Sequence, residues 1–184
     1  QSGSFTSLKK LMGVFQYQSV NTLRSHLSYL QDTYLLSEVS AYSHKIRERS
    51  TSPKKNFACD TGMMAALNTK PTPDWGMRLE ALVYLHLRRQ KQAVFYLKGP
   101  DHDVDFAVVV DRQISHLIQV CFDLSQPDTF EREVSSLFCA AKKYPQARQL
   151  MVITHDEDRV IVRDGHRIQI IPAWKFSLQE LNAL

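Results

Sequence analysis

The feature that most constrains this chain is a change of hydrophobic period near its middle. From Met77 to Lys91 the apolar residues Leu79, Leu82, Val83, Leu85 and Leu87 predict a helix dense enough in apolar residues to be buried over much of its surface. Apolar runs of strand length follow at Ala93–Leu97, Val104–Val110 and His116–Phe122. Helical spacing returns from Asp128 to Lys143 through Phe130, Val134, Leu137, Phe138 and Ala141, and Leu150–Thr154 reads as a further strand. Arg159–Arg163 and Arg167–Ile171 flank Asp164-Gly165, a dipeptide suited to a tight hairpin turn. Trp174–Leu181 closes the chain, with Trp174 expected to staple it to the core. Helices and strands alternating in this way must bury a sheet against helices, so the expected class is α/β, of mixed α+β type.

The upstream pattern is different. Phe5–Met12 is amphipathic, Gly13 breaks it, and Ser19 is a good N-cap for a helix with Val20, Leu23, Leu27 and Leu30 on one face. The opposite face carries Asn21, Arg24, Ser25 and Ser28. Tyr34–Tyr42 and Asn56–Cys59 read as strands around a connection rich in Lys45, Arg47, Arg49, Lys54 and Lys55, with Glu48 its single acid. Two helices followed by a hairpin with a basic tip is the order of a winged helix-turn-helix. The short apolar helix MMAAL and the proline-bearing stretch from Asn68 to Gly76 come next. The expected organisation is a winged-helix-like domain over 1–68, a linker over 69–76, and a second domain over 77–184.

Charge follows the same division. Residues 1–78 hold ten Lys and Arg against five Asp and Glu, whereas residues 79–184 hold thirteen against fourteen. An anionic partner is therefore expected at the first unit. The six glycines cannot be written as GxGxxG or GxxxxGK[ST], which excludes a nucleotide-binding glycine loop from these residues. Cys59, Cys121 and Cys139 form no CxxC pair, and their odd number suits reduced thiols in a cytoplasm. No run approaches the roughly 20 apolar residues that span a bilayer, so no membrane partner is expected. The chain begins QSGSFTSLKK, without Met, and reads as a piece of a longer protein.

The αβββαβ order of the second unit resembles the core of PD-(D/E)XK nucleases. In that fold a helix acid, an Asp on the second strand, and an acid-x-Lys pair on the third gather at one sheet edge. Carboxylates hold Mg²⁺ there, and the Lys helps activate the attacking water. Glu80 stands in the helix position and Asp105, within DHDVDF, in the strand position, which makes them the candidate metal ligands. The third strand has Gln119-Val120-Cys121, an amide and a thiol in place of the acid and the cation. The expected site, Glu80, Asp105, Gln119 and Cys121, is thus a degenerate one without catalysis, and Lys98 is a weak substitute for the missing Lys. Cys121, Cys59 and Cys139 are expected to be inert core thiols. His155-Asp-Glu-Asp158 reads as a solvated turn, and His86 and His116 as ordinary polar positions.

SVNTLRSHLSYLQDTYLL, SPKKNFACDTGM, LEALVYLHL, DVDFAV, LIQVCFDL and IIPAWKF, in this order from Ser19 to Phe176, resemble the C-terminal region of a large group of bacterial and archaeal AAA-type ATPases. That region is a domain of unknown function. The resemblance implies a parent with an N-terminal ATPase domain, which alone would bind ATP, then a winged helix and a nuclease-like domain. Many members carry an acid and a Lys where this chain has Gln119 and Cys121, and their absence here implies an inactive scaffold.

The leading expectation is a non-catalytic module that binds DNA for that ATPase, with Arg24, Lys45, Arg47, Arg49, Lys54 and Lys55 on phosphates and no cofactor of its own. One alternative is a protein-interaction module that docks the ATPase domain or a partner. Another is a divalent-metal-dependent nuclease with an altered site. Self-association is compatible with each.

Overall fold

The computed structural model describes residues 5–68, 71–99 and 103–181. The N-terminal unit opens with a short strand, β1 (Phe5–Thr6), and two helices, α1 (Leu8–Phe15) and α2 (Val20–Asp32). Ser7 and Ser19 cap these helices, each side-chain oxygen accepting a backbone N–H of the first turn. Strands β2 (Leu36–Val39) and β3 (Lys54–Ala58) complete a three-stranded antiparallel sheet in the order β1-β3-β2. The connection between β2 and β3 differs from the expected bare hairpin tip. It folds into a short helix, α3 (Ile46–Thr51), whose C-terminal carbonyls are taken up by Ser52 and Lys54. Helix α4 (Thr61–Ala66), capped by Asp60, leads toward the second unit.

The second unit is built on a six-stranded mixed sheet. Helix α5 (Trp75–Arg89) precedes the antiparallel strands β4 (Ala93–Leu97), β5 (Val104–Val110) and β6 (Gln113–Val120). Helix α6 (Pro127–Lys143) then crosses over to β7 (Gln149–Thr154), which pairs parallel to β6. Strands β8 (Arg159–Arg163) and β9 (His166–Pro172) form the terminal hairpin, and helix α7 (Ala173–Phe176) follows. The sheet order is β4-β5-β6-β7-β9-β8. Asp164 and Gly165 both take positive φ, 51° and 77°, as a two-residue primed turn requires.

Alternation along the central strands separates two cores. Phe106, Ile118, Met151 and Ile153 pack toward α5 and α7, whereas Ala107, Leu117, Leu150 and Val152 pack toward α6. The first core does not stop at the second unit. Val39, Ala41 and Phe57 belong to it, and the Phe57 ring stacks on Tyr84 at 4.5 Å between centroids. The backbone joins too: Tyr42 N–H donates to Tyr96 O at 2.8 Å, and Tyr96 N–H to Ser40 O at 3.1 Å. The chain leaving β2 therefore runs along the outer edge of β4. Of the expected linker, residues 69 and 70 lie outside the described residues, and Trp75 and Gly76 already belong to α5.

Three expected core positions are corrected. Trp174 is 64% exposed, and Phe176, two residues on, is the fully buried anchor of the C-terminal segment. Cys139 is exposed and Cys59 only half-buried. Among the described residues, no helix is long and apolar enough to cross a membrane.

Candidate functional site

Strand β3 buries alternate residues, Lys55 and Phe57. Phe57 meets the aromatic core, and the same alternation drives Lys55 inward, leaving it 4% exposed. Its ammonium donates to Glu80 Oε1 and to Asp105 Oδ1, both at 2.8 Å. A cation from the N-terminal unit thus sits between the two acids from which the second unit would have to build a metal site. This corrects the expectation that Lys55 contacts phosphate.

A hydrogen-bond network surrounds this trio. Asp105 Oδ2 accepts the Val120 N–H at 3.0 Å, and the Asp105 N–H donates to Gln119 Oε1 at 2.8 Å. Gln119 Nε2 in turn donates to Glu133 Oε2 at 2.6 Å and Asp103 O at 3.3 Å. Arg132 holds the other Glu133 oxygen at 2.7 Å. An amide suits position 119 better than a carboxylate would. It accepts from one side and donates to the other, whereas an acid facing Glu133 would need a proton.

One lysine faces two carboxylates, so the pair is not fully balanced. Burial first, and the Asp105 charge second, push the Glu80 carboxyl up to about 7, with Lys55 opposing both. Burial also penalises the Lys55 charge, but Asp105 and Glu80 outweigh it and hold that amine above its ordinary value. As arranged, these residues do not fit a divalent ion, because its place between the acids holds a fixed ammonium. Among the described residues no group of three or more His, Cys, Asp and Glu is arranged to hold a metal.

Glu80, Asp105 and Gln119 therefore converge, and the pocket they line, about 470 Å³, also has Lys98 on its wall. Cys121 does not line it. Its thiol turns to Asp123 O at 3.2 Å, and burial raises its pKa. Glu133 was not singled out by sequence, although it lies three residues from Phe130 and four from Leu137, on the apolar stripe of α6. Lys55 had a comparable signal, two residues from Phe57 on a strand face.

The remaining expected phosphate contacts divide. Arg24, Lys45 and Arg47 are exposed. Arg49 is half-buried over the Phe95 ring at 5.5 Å, and Lys54 is held by Ser40 and the Arg49 carbonyl. The histidines and the 155–158 turn have structural partners: His86 meets the Gln179 carbonyl, His116 meets Ser115, and Lys175 pairs with Asp158.

Residues 1–74 match a family described as a domain of unknown function, DUF8612. The match ends at Asp74, the N-cap of α5. Over 94% of its length the chain is 30% identical to an uncharacterized protein of Methanocaldococcus jannaschii, MJ1544. It spans 40% of that relative. No solved structure matches it.

Proposed function

We propose that this chain is the C-terminal module of a prokaryotic AAA-type ATPase, a winged-helix-like unit joined to a degenerate PD-(D/E)XK-like unit, which binds nucleic acid without cutting it. The observation that carries the reading is the Lys55 bridge between Glu80 and Asp105. It offsets part of the charge of the acids that would repel a phosphate backbone, and it stands where a nuclease would need its metal. The β1-β3-β2 sheet behind α1 and α2 supports the winged-helix reading, and the αβββαβ order with parallel β6 and β7 supports the nuclease-like one. A relative that extends well beyond the region matched here supports a larger parent chain.

With Lys55 and Lys54 committed internally, the exposed phosphate contacts are Arg24, Lys45 and Arg47. Three contacts give a log–log salt slope of about −3 on duplex DNA, at roughly −0.9 each. Binding titrations at several salt concentrations measure it, and a flat response overturns the binding half of the proposal. Plasmid cleavage with Mg²⁺ or Mn²⁺ that disappears in Asp105→Ala overturns the non-cutting half.

A second reading has its own observation. Val14, Phe15, Tyr29, Leu30, Tyr34 and Leu35 are exposed on α1, α2 and the turn after α2. That much apolar surface favours a protein-docking role, toward the ATPase domain or another partner.

A further inference from the structure

A second cavity lies beside the acid pocket and shares Lys98 and Gly99 with it. It is about 630 Å³, within the roughly 300–1,000 Å³ of small-ligand sites, and opens between α3 and the C-terminal end of α6. Its charge is opposite to that of its neighbour. Lys45, Lys98 and Lys143 line it together with His44, and Glu48, the one acid on its wall among the described residues, is held by Lys45 at 3.0 Å and Ser43 at 2.7 Å. Tyr42 and Tyr144 supply an aromatic wall, their rings 5.8 Å apart and nearly perpendicular. Lys143 lies over the Tyr144 ring at 5.5 Å. Cations beside aromatic rings are the composition that recognises a phosphate joined to a base.

We infer that this cleft is a nucleotide-binding site, with phosphate held by Lys98 and Lys143 and the base against the Tyr42–Tyr144 wall. The inference deepens the nucleic-acid reading and rests on it for the source of the nucleotide, an unpaired strand. A cavity of this size admits a nucleotide and excludes a duplex; Arg24 and Arg47 do not line it, and Lys45 is shared between the cleft and the exposed duplex cations.

The test is fluorescence anisotropy of the 184-residue chain with labelled oligothymidylate, with unlabelled thymidine monophosphate as a competitor and as a separate ligand. Lys143 and Lys98 are exposed, and a thermal melt of each Ala variant checks that the fold is intact. Each substitution is expected to weaken oligothymidylate binding several-fold and to reduce the salt slope by about 0.7. Tyr144→Ala should cost about tenfold and Tyr144→Phe little, because stacking needs the ring and not the hydroxyl. Cys139 lines the cleft and is exposed, so bound oligothymidylate should slow its labelling by a maleimide.

If only the free nucleotide binds, and Lys143→Ala abolishes it, the site stands and an unpaired strand as its source is overturned, while the duplex titration decides the nucleic-acid reading. If oligothymidylate binding ignores Lys98→Ala and Lys143→Ala but falls in Arg24→Ala, the site is overturned and the nucleic-acid reading stands. Binding of neither probe overturns the site, and the duplex titration by itself then decides the nucleic-acid reading.

Discussion

The acid pocket and the basic cleft are neighbours on the seam between α5, β4, α6 and the N-terminal unit, yet they treat charge in opposite ways. In the pocket Glu80, Asp105 and Glu133 are met by Lys55, Gln119 and Arg132 at hydrogen-bonding distance. In the cleft Lys143 is exposed to solvent beside Tyr144, and His44 is exposed as well. Depth explains the difference. A buried charge costs several kcal/mol unless its counter-charge is built in, whereas water solvates an exposed one until a ligand replaces it. A polar cluster closed on itself is thus a clamp between two units, and an open basic cleft beside aromatic rings is the better candidate for a ligand.

The largest test of that contrast is Lys55→Ala. It leaves two carboxylates facing each other in a buried site, and the expected loss is about 3–5 kcal/mol in urea unfolding. A loss under about 1 kcal/mol would mean that the ion pair does not clamp the units. Mg²⁺ should raise the melting temperature of Lys55→Ala and leave the parent chain unchanged, because only the variant has acids without their cation. Gln119→Leu comes next. It strands Glu133 and the Asp105 N–H, and about 1–3 kcal/mol should be lost.

The third test uses pH. Folded Glu80 titrates near 7 against an ordinary 4.5, so between those values the folded chain binds more protons than the unfolded one. Stability should therefore fall as pH rises through that window, and Glu80→Gln should flatten the fall. The Lys55 contribution has the other limit. It is complete below the ordinary lysine value, 10.5, and is lost as pH rises through the higher folded value. The smallest effect belongs to the cleft. Lys143→Ala should change stability by less than about 0.5 kcal/mol, and a larger change would mean that the cleft is also structural.

Much of the architecture was legible from side-chain period. Ala93–Leu97, Val104–Val110 and Arg159–Arg163 form strands with the bounds read from the sequence, and α6 begins one residue earlier than its apolar stripe suggested. Glu80 and Asp105 were legible as site candidates because the helix-then-strand order sets them at the positions where the resembled nuclease core carries its acids. Arg24 and Arg47 were legible as exposed cations because their neighbours on the same elements are polar.

Misreadings occurred where a residue's environment comes from a distant segment. Lys55 looked like one more basic residue in a surface run. Beginning the strand at Asn56 hid its place on the Phe57 face, and nothing local predicted acids 25 and 50 residues away. Trp174 and Phe176 were confused because only packing decides which of two nearby aromatics the core has room for. Cys139 falls on the solvent-facing part of a helix that was otherwise read correctly.

Sequence alone determined the order of helices and strands, and the amide and thiol that stand at Gln119 and Cys121. These are local facts, set by period and residue type. The tertiary structure alone decided that one cation of a basic run is buried, that it belongs to the acids of the other unit, and that the opposite side of the same seam opens as a basic cleft. Electrostatic pairing acts through space over a few ångströms, and only the folded chain sets which residues come that close.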